Sequence, residues 1–287
     1  MDVLLQQLFN GLTVGSVYSL VALGLTLVYG ILHIPNFAHG ALYMIGAYIT
    51  YTMMSSLGFH YLISLVISII VVGFISVLME RLVFHPLKES TPIQHKVAAI
   101  GMLLFLESLA QLIWGADYQQ METPFAQVID LFGLTVTMQR LIIVITAIVA
   151  MIILYLFLKR TYTGATIIAM AQNREGAHLV GINTNKVAML TFFIAGVLAA
   201  LGASLTSPIN LVFPSMGHLV ILKAFVIIII GGMGSIPGAI LGGYIIGFSE
   251  SIGATYLSSN YSDIISFALL VIILTIKPQG IFSKGGA

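Results

Sequence analysis

The sequence predicts an all-α fold, a polytopic membrane helix bundle of about eight to ten spans, and three observations carry that prediction. Hydrophobic residues make up 59% of 287 positions and charged residues 7%, with a mean hydropathy of +1.07; no water-soluble packing covers that much apolar side chain with polar surface. The apolar residues fall in runs of roughly 17 to 25, the length a helix needs to cross hydrocarbon. Those runs are too long and uniform for barrel strands, and a helix satisfies its own backbone where no water reaches.

Taken in order, the spans fall at about 6–29, 37–56, 61–84, 97–114, 140–158, 187–207, 218–232, 237–256 and 263–277. The first run has no basic segment before it and exceeds signal-peptide length, so it reads as a retained helix. His33-Ile34-Pro35-Asn36 ends it, because proline lacks a donor and disfavours helix in the residue before it. A second break runs from Gly231 to Gly238. Each break reads either as a turn between spans or as an unwound point within one, the pattern of interrupted helices that line a path. The chain is thus one transmembrane domain over 1–287 with one polar loop at about 159–186.

Basic residues orient the bundle, since positively charged loops stay in the cytoplasm. Arg81, Lys88 and Lys96 flank one loop, Lys159, Arg160, Arg174 and Lys186 sit in the polar loop, and Lys277 and Lys284 follow the last span. The segment from Gly115 to Gln139 carries Asp117, Glu122 and Asp130 without Lys or Arg. Its alternating VIDLFGLTVT stretch predicts a small hairpin outside. With nine spans the N-terminus lies outside and the C-terminus inside.

Small residues recur four apart: Gly11 with Gly15, Gly196 with Ala200, Gly238 with Gly242, Gly243 with Gly247. Such spacing lets helix backbones approach closely in lipid. Acids deep in spans are fewer and carry more weight, because a charge at the bilayer centre costs about 2.5–3.5 kcal/mol even on lenient scales. Glu107 and Glu250 are so placed, and Gln111, one turn from Glu107, extends a polar stripe expected to face the interior. Lys223 near a span end reads as snorkelling, and Glu80 with Arg81 as interfacial. His39 follows Asn36 on one polar face. A helix starting there either offers its N-terminal donors to a carboxylate or is simply capped by Asn36.

Several function classes are excluded. No lysine is followed by Ser or Thr, so there is no P-loop, and neither HExxH nor GxSxG occurs. The net charge of +1 excludes a general polyanion binder, and the lack of cysteine removes disulfides and thiol chemistry. Glu107 and Glu250 lack any motif that marks them as a catalytic dyad, so catalysis is the weaker class and a non-catalytic membrane protein the expectation.

The polar loop, KRTYTGATIIAMAQNREGAHLVGINTNK from Lys159 to Lys186, is the segment that points to a partner. Residues 164–180 read as a short helix along the membrane, stopped at Gly181, with Asn183 and Thr184 capping the next span. Ile168, Ala169, Ala177 and Leu179 are its apolar anchors, and Gln172, Asn173, Arg174 and Glu175 a polar rim.

At these residues the chain resembles ABC importer permeases of the branched-chain amino-acid class, LivH type. The signature AMAQNREGAHLVGIN (169–183), the segments 27–48 and 222–251, and the ending KPQGIF carry the resemblance over almost the whole chain. It departs at Ile168, where the family usually has arginine, and at Glu107, where apolar residues are commoner. The resemblance implies a subunit of a five-part importer in the bacterial cytoplasmic (inner) membrane. The other parts are a LivM-like permease, two ABC ATPases and an extracytoplasmic amino-acid-binding protein. No cofactor belongs to this chain, ATP and Mg are held by the ATPases, and no nucleic acid is involved. Gly164, Ala169, Gln172, Asn173, Glu175, Ala177, Gly181 and Asn183 match the coupling motif. Pro35, Asn36, His39 and Glu107 are expected along the translocation pathway. Leucine, isoleucine and valine are the expected solutes, with urea, short amides or other amino acids as alternatives. An ion-coupled carrier using Glu107 or Glu250 is the competing class.

Overall fold

The computed structural model describes residues 2–33, 35–88, 90–131, 134–256 and 262–282. Ile34 in the first break, Phe132 and Gly133 in the expected hairpin turn, and Lys284 fall outside them. All nine apolar segments form helices: α1 (Asp2–Leu32), α2 (His39–Tyr51), α3 (Tyr61–Met79), α4 (Pro92–Trp114), α5 (Met138–Arg160), and, after two short helices of the polar loop, α8 (Thr184–Thr206), α9 (Met216–Gly231), α10 (Ile236–Tyr256) and α11 (Ser262–Ile276). The loop helices are α6 (Tyr162–Gln172) and α7 (Arg174–Leu179), and π-helical turns over Thr52–Ser56 and Glu80–Phe84 extend α2 and α3.

Fewer helices qualify as spans than the eight to ten expected. Among the described residues, five are long and apolar enough to cross a membrane, and the pair α9 and α10, bent by 119° at their break, makes a sixth if counted once. Length is one reason: at about 1.5 Å per residue, the 15 residues of α11 cover only about 22 Å, short of the roughly 30 Å hydrocarbon core.

Glycine seams hold the centre. The first helix lies against α10 so closely that a Cβ on Gly247 would sit 2.4 Å from the Gly15 nitrogen, and one on Gly243 would sit 2.3 Å from Ser19 Oγ. The expected four-residue spacing therefore marks real backbone contact. A third such contact joins Gly40 of α2 to Gly217 of α9, where a Cβ on Gly40 would lie 2.2 Å from the Gly217 carbonyl oxygen.

The Gly231–Gly238 break is a tight hairpin bend, with Gly232 at φ +94° and Gly234 at φ +83°. The end of α9 leaves carbonyls without intrahelical partners. Backbone N–H groups of Ile281 and Phe282 donate to the Ile230 and Gly231 carbonyls at 2.8 and 3.2 Å, so the segment after α11 folds back onto the bend.

Strands β1 (Val128–Leu131) and β2 (Leu134–Thr137) pair antiparallel, with Val128 opposite Thr137, which is the expected hairpin. Gln6 of α1 donates to the Thr135 carbonyl at 3.2 Å, whereas a Cβ on Gly30 would meet Ala171 of α6 at 3.4 Å. One helix thus reaches from the acidic hairpin at one end to the basic loop at the other.

Candidate functional site

The polar loop begins with a sharp reversal. Thr161 caps α6 by accepting the Gly164 N–H at 2.9 Å, and Gly164 comes so close to the last turn of α5 that a Cβ there would lie 2.3 Å from the Phe157 carbonyl oxygen. No other residue type fits that approach. Gly164, Ile167 and Met170 form the buried face of α6.

The single helix expected over 164–180 is broken at Asn173, whose side chain accepts the Gly176 N–H at 2.8 Å and starts α7. An Asn side chain competes well for backbone donors, which favours a cap over a continuing helix. At the far end Gly181 has φ +86°. The Ile182 N–H donates to Ala177 and the Gly181 N–H to His178, the two bonds of a Schellman stop. Asn183 then accepts the Lys186 N–H at 3.1 Å and caps α8. Both ends are therefore as the sequence reads.

The anchors are sorted differently. Ala177 is buried within the chain and Ile168 packs against its core, so neither is free to enter a partner's groove. Leu179 and Val180 are 86% and 77% exposed, and Tyr162 is 84% exposed. Gln172, Asn173, Glu175, Gly181 and Asn183 are also exposed, and Ala169 is half-buried. Val180 and Tyr162 are two exposed hydrophobic residues the sequence reading did not single out; both lie at helix ends, where periodicity gives no signal.

Of the pathway candidates, Pro35, Asn36 and His39 sit together at the start of α2. Asn36 is 1% exposed and His39 0%. The Asn36 side chain accepts the Ala38 N–H at 3.1 Å, and His39 Nε2 donates to the Val21 carbonyl of α1 at 3.1 Å. Glu107 lies apart from them. It accepts a hydrogen bond from His218 of α9 at 2.6 Å, with side chains 15% and 41% exposed respectively. Gln111 is exposed, so the polar stripe on α4 does not continue into the interior.

A charged cluster lies between α1, α9, α10 and α11. Lys223 Nζ is 3.0 Å from Glu250, and Tyr18 donates to the same carboxylate at 2.8 Å and accepts from Lys223 at 2.8 Å. Ser266 also donates to Glu250. Lys223 is thus an ion-pair partner rather than a snorkelling residue, because Glu250 lies across the hairpin within reach. Glu80 is likewise buried by its own chain, at 4% exposure, with His85 3.9 Å away.

Buried polar groups, interrupted helices and an exposed polar loop on an apolar bundle define a polytopic membrane protein. The chain belongs to the family described as "Branched-chain amino acid transport system / permease component", which matches residues 7–274. It is 36% identical to the high-affinity branched-chain amino acid transport system permease protein LivH of Escherichia coli K12, over 98% of this chain and 96% of that one. It is equally 36% identical to BraD of Pseudomonas aeruginosa over the same shares. A probable LivH of Methanocaldococcus jannaschii is 32% identical over 91% of this chain and 87% of its own.

Proposed function

We propose that this chain is a transmembrane subunit of an ATP-driven importer for leucine, isoleucine and valine in the bacterial cytoplasmic membrane. The observation that carries the reading is near-full-length likeness to permeases named for high-affinity branched-chain amino acid transport. The subunit works with a second, LivM-like permease, two ABC ATPases that hold ATP and Mg, and an extracytoplasmic binding protein.

The loop supplies the lever. Leu179, Val180 and Tyr162 seat in an ATPase groove, and Gln172, Asn173, Glu175 and Gly181 form the surrounding rim. Closure of the ATPase pair displaces α6, and the backbone contact at Gly164 passes that displacement to α5 with little slack. The bundle then exchanges one opening for the other, a two-state change biased from outside. Pro35, Asn36, His39 and Glu107 are assigned to the solute path.

Uptake of labelled leucine by vesicles containing all subunits tests this. Glu175→Arg and Gly181→Trp are expected to lower uptake and leucine-stimulated ATP hydrolysis together while the protein still inserts; unchanged hydrolysis in both variants removes the coupling assignment. Asn36→Leu is expected to impair uptake more than ATPase docking.

A further inference from the structure

We propose that the cavity between α1, α5, α8 and α9 is a transit site for a free α-amino acid, with Arg140 as the docking point for its carboxylate. This deepens the amino-acid reading above and rests on it.

The cavity measures about 270 Å³. That is room for roughly nine waters at liquid volume and falls just under the roughly 300–1,000 Å³ of small-molecule pockets, so its natural occupant is one small solute. Its lining mixes two chemistries. Arg140, Asn10 and Asn210 are charged or amide-bearing and several others carry hydroxyls, while Val14, Val17 and Val220 are apolar. A branched aliphatic amino acid carries the same mixture, with a charged head and a hydrocarbon tail.

Arg140 is the group that selects a carboxylate. Of the eleven Lys and Arg residues, nine lie in the three basic regions of the sequence, and Lys223 pairs with Glu250. Arg140 alone opens the span beside the acidic hairpin, where the charge bias of membrane proteins gives no reason for a cation. Its guanidinium donates to the Asn10 side-chain oxygen, and among the described residues no carboxylate lies within ion-pair distance of it. The Asn10 contact fixes the fork on the cavity wall. A guanidinium has five donors in a geometry that matches a carboxylate bidentately, and the amide oxygens of Asn10 and Asn210 are acceptors suited to an ammonium.

The cysteine-free chain allows a direct test in the assembled complex, held in phosphatidylcholine nanodiscs. Ile209→Cys places one thiol on the cavity lining, and the rate of its maleimide labelling is measured. Saturating leucine is expected to slow labelling roughly fivefold, as a site that encloses most of its ligand does. Leucinamide, which lacks the carboxylate, is expected to leave the rate unchanged. Adding Arg140→Gln is expected to abolish the leucine effect, and an unaltered rate without solute reports an intact fold. Where that rate does change, the contrast between leucine and leucinamide in the Ile209→Cys chain decides.

The site is overturned by a leucine-independent rate, by protection that survives Arg140→Gln, or by slowing on exchange of phosphatidylcholine for phosphatidylglycerol without amino acid. The last result assigns the guanidinium to a lipid headgroup. Leucine uptake measured in parallel separates the two readings: uptake without protection removes the site alone, and protection without uptake removes the transport assignment alone.

Discussion

At the scale of residues, the Lys223–Glu250 pair carries a large energetic stake. Truncating one partner of a buried pair costs about 3–5 kcal/mol because the other charge is stranded, whereas replacing both is often neutral. Lys223→Met is therefore expected to lower the thermal midpoint of the purified protein sharply, and Lys223→Met with Glu250→Leu to recover most of it. Gly181→Ala is expected to strain its left-handed backbone by about 1–2 kcal/mol and to reduce uptake with insertion unchanged. These residues differ in how legible they were. Gly181 and Asn183 declare themselves because a stop and a cap act within a few residues of sequence. The partner of Lys223 lies on another helix, 27 positions away, and only the register of the hairpin brings it near. Gln111 misled for a related reason: spacing shows which residues share a face, not what that face meets.

At the scale of elements, every apolar run became a helix within a few residues of its expected limits, since burial in lipid leaves the backbone one solution. What the sequence left open was the shape of the interruptions. Gly231 to Gly238 reads as a tight connection ahead of an unwound point, and its 119° bend is fixed by contacts that include the distant Ile281 and Phe282. Ile281→Pro removes the N–H that reaches Ile230 and is expected to destabilise the protein by about 1–3 kcal/mol relative to Ile281→Ala, measured by thermal unfolding in detergent. The polar loop shows the opposite balance. Its ends are local and were read correctly, but its break at Asn173 turned one expected helix into two, and of the expected anchors only Leu179 is fully exposed, beside Val180.

At the scale of the whole molecule, the contacts of Gln6 with Thr135 and of Gly30 with Ala171 put the hairpin and the polar loop at opposite ends. Single cysteines test this. Leu179→Cys is expected to react with an impermeant thiol reagent only from the cytoplasm, and Val128→Cys only from outside; labelling of both from one side overturns the orientation. The start of α2 bears on how such a molecule moves. Its first amides are already occupied: Ala38 is held by the Asn36 side chain, and His39 and Gly40 donate to the Asn36 and Phe37 carbonyls. The backbone of the corner is fastened in this way, whereas the Asn36 side-chain nitrogen and His39 Nδ1 are buried beside it without a partner among the described residues. The bend keeps its shape through its own amides, and the polar capacity left over is what the corner can offer to a solute that reaches it.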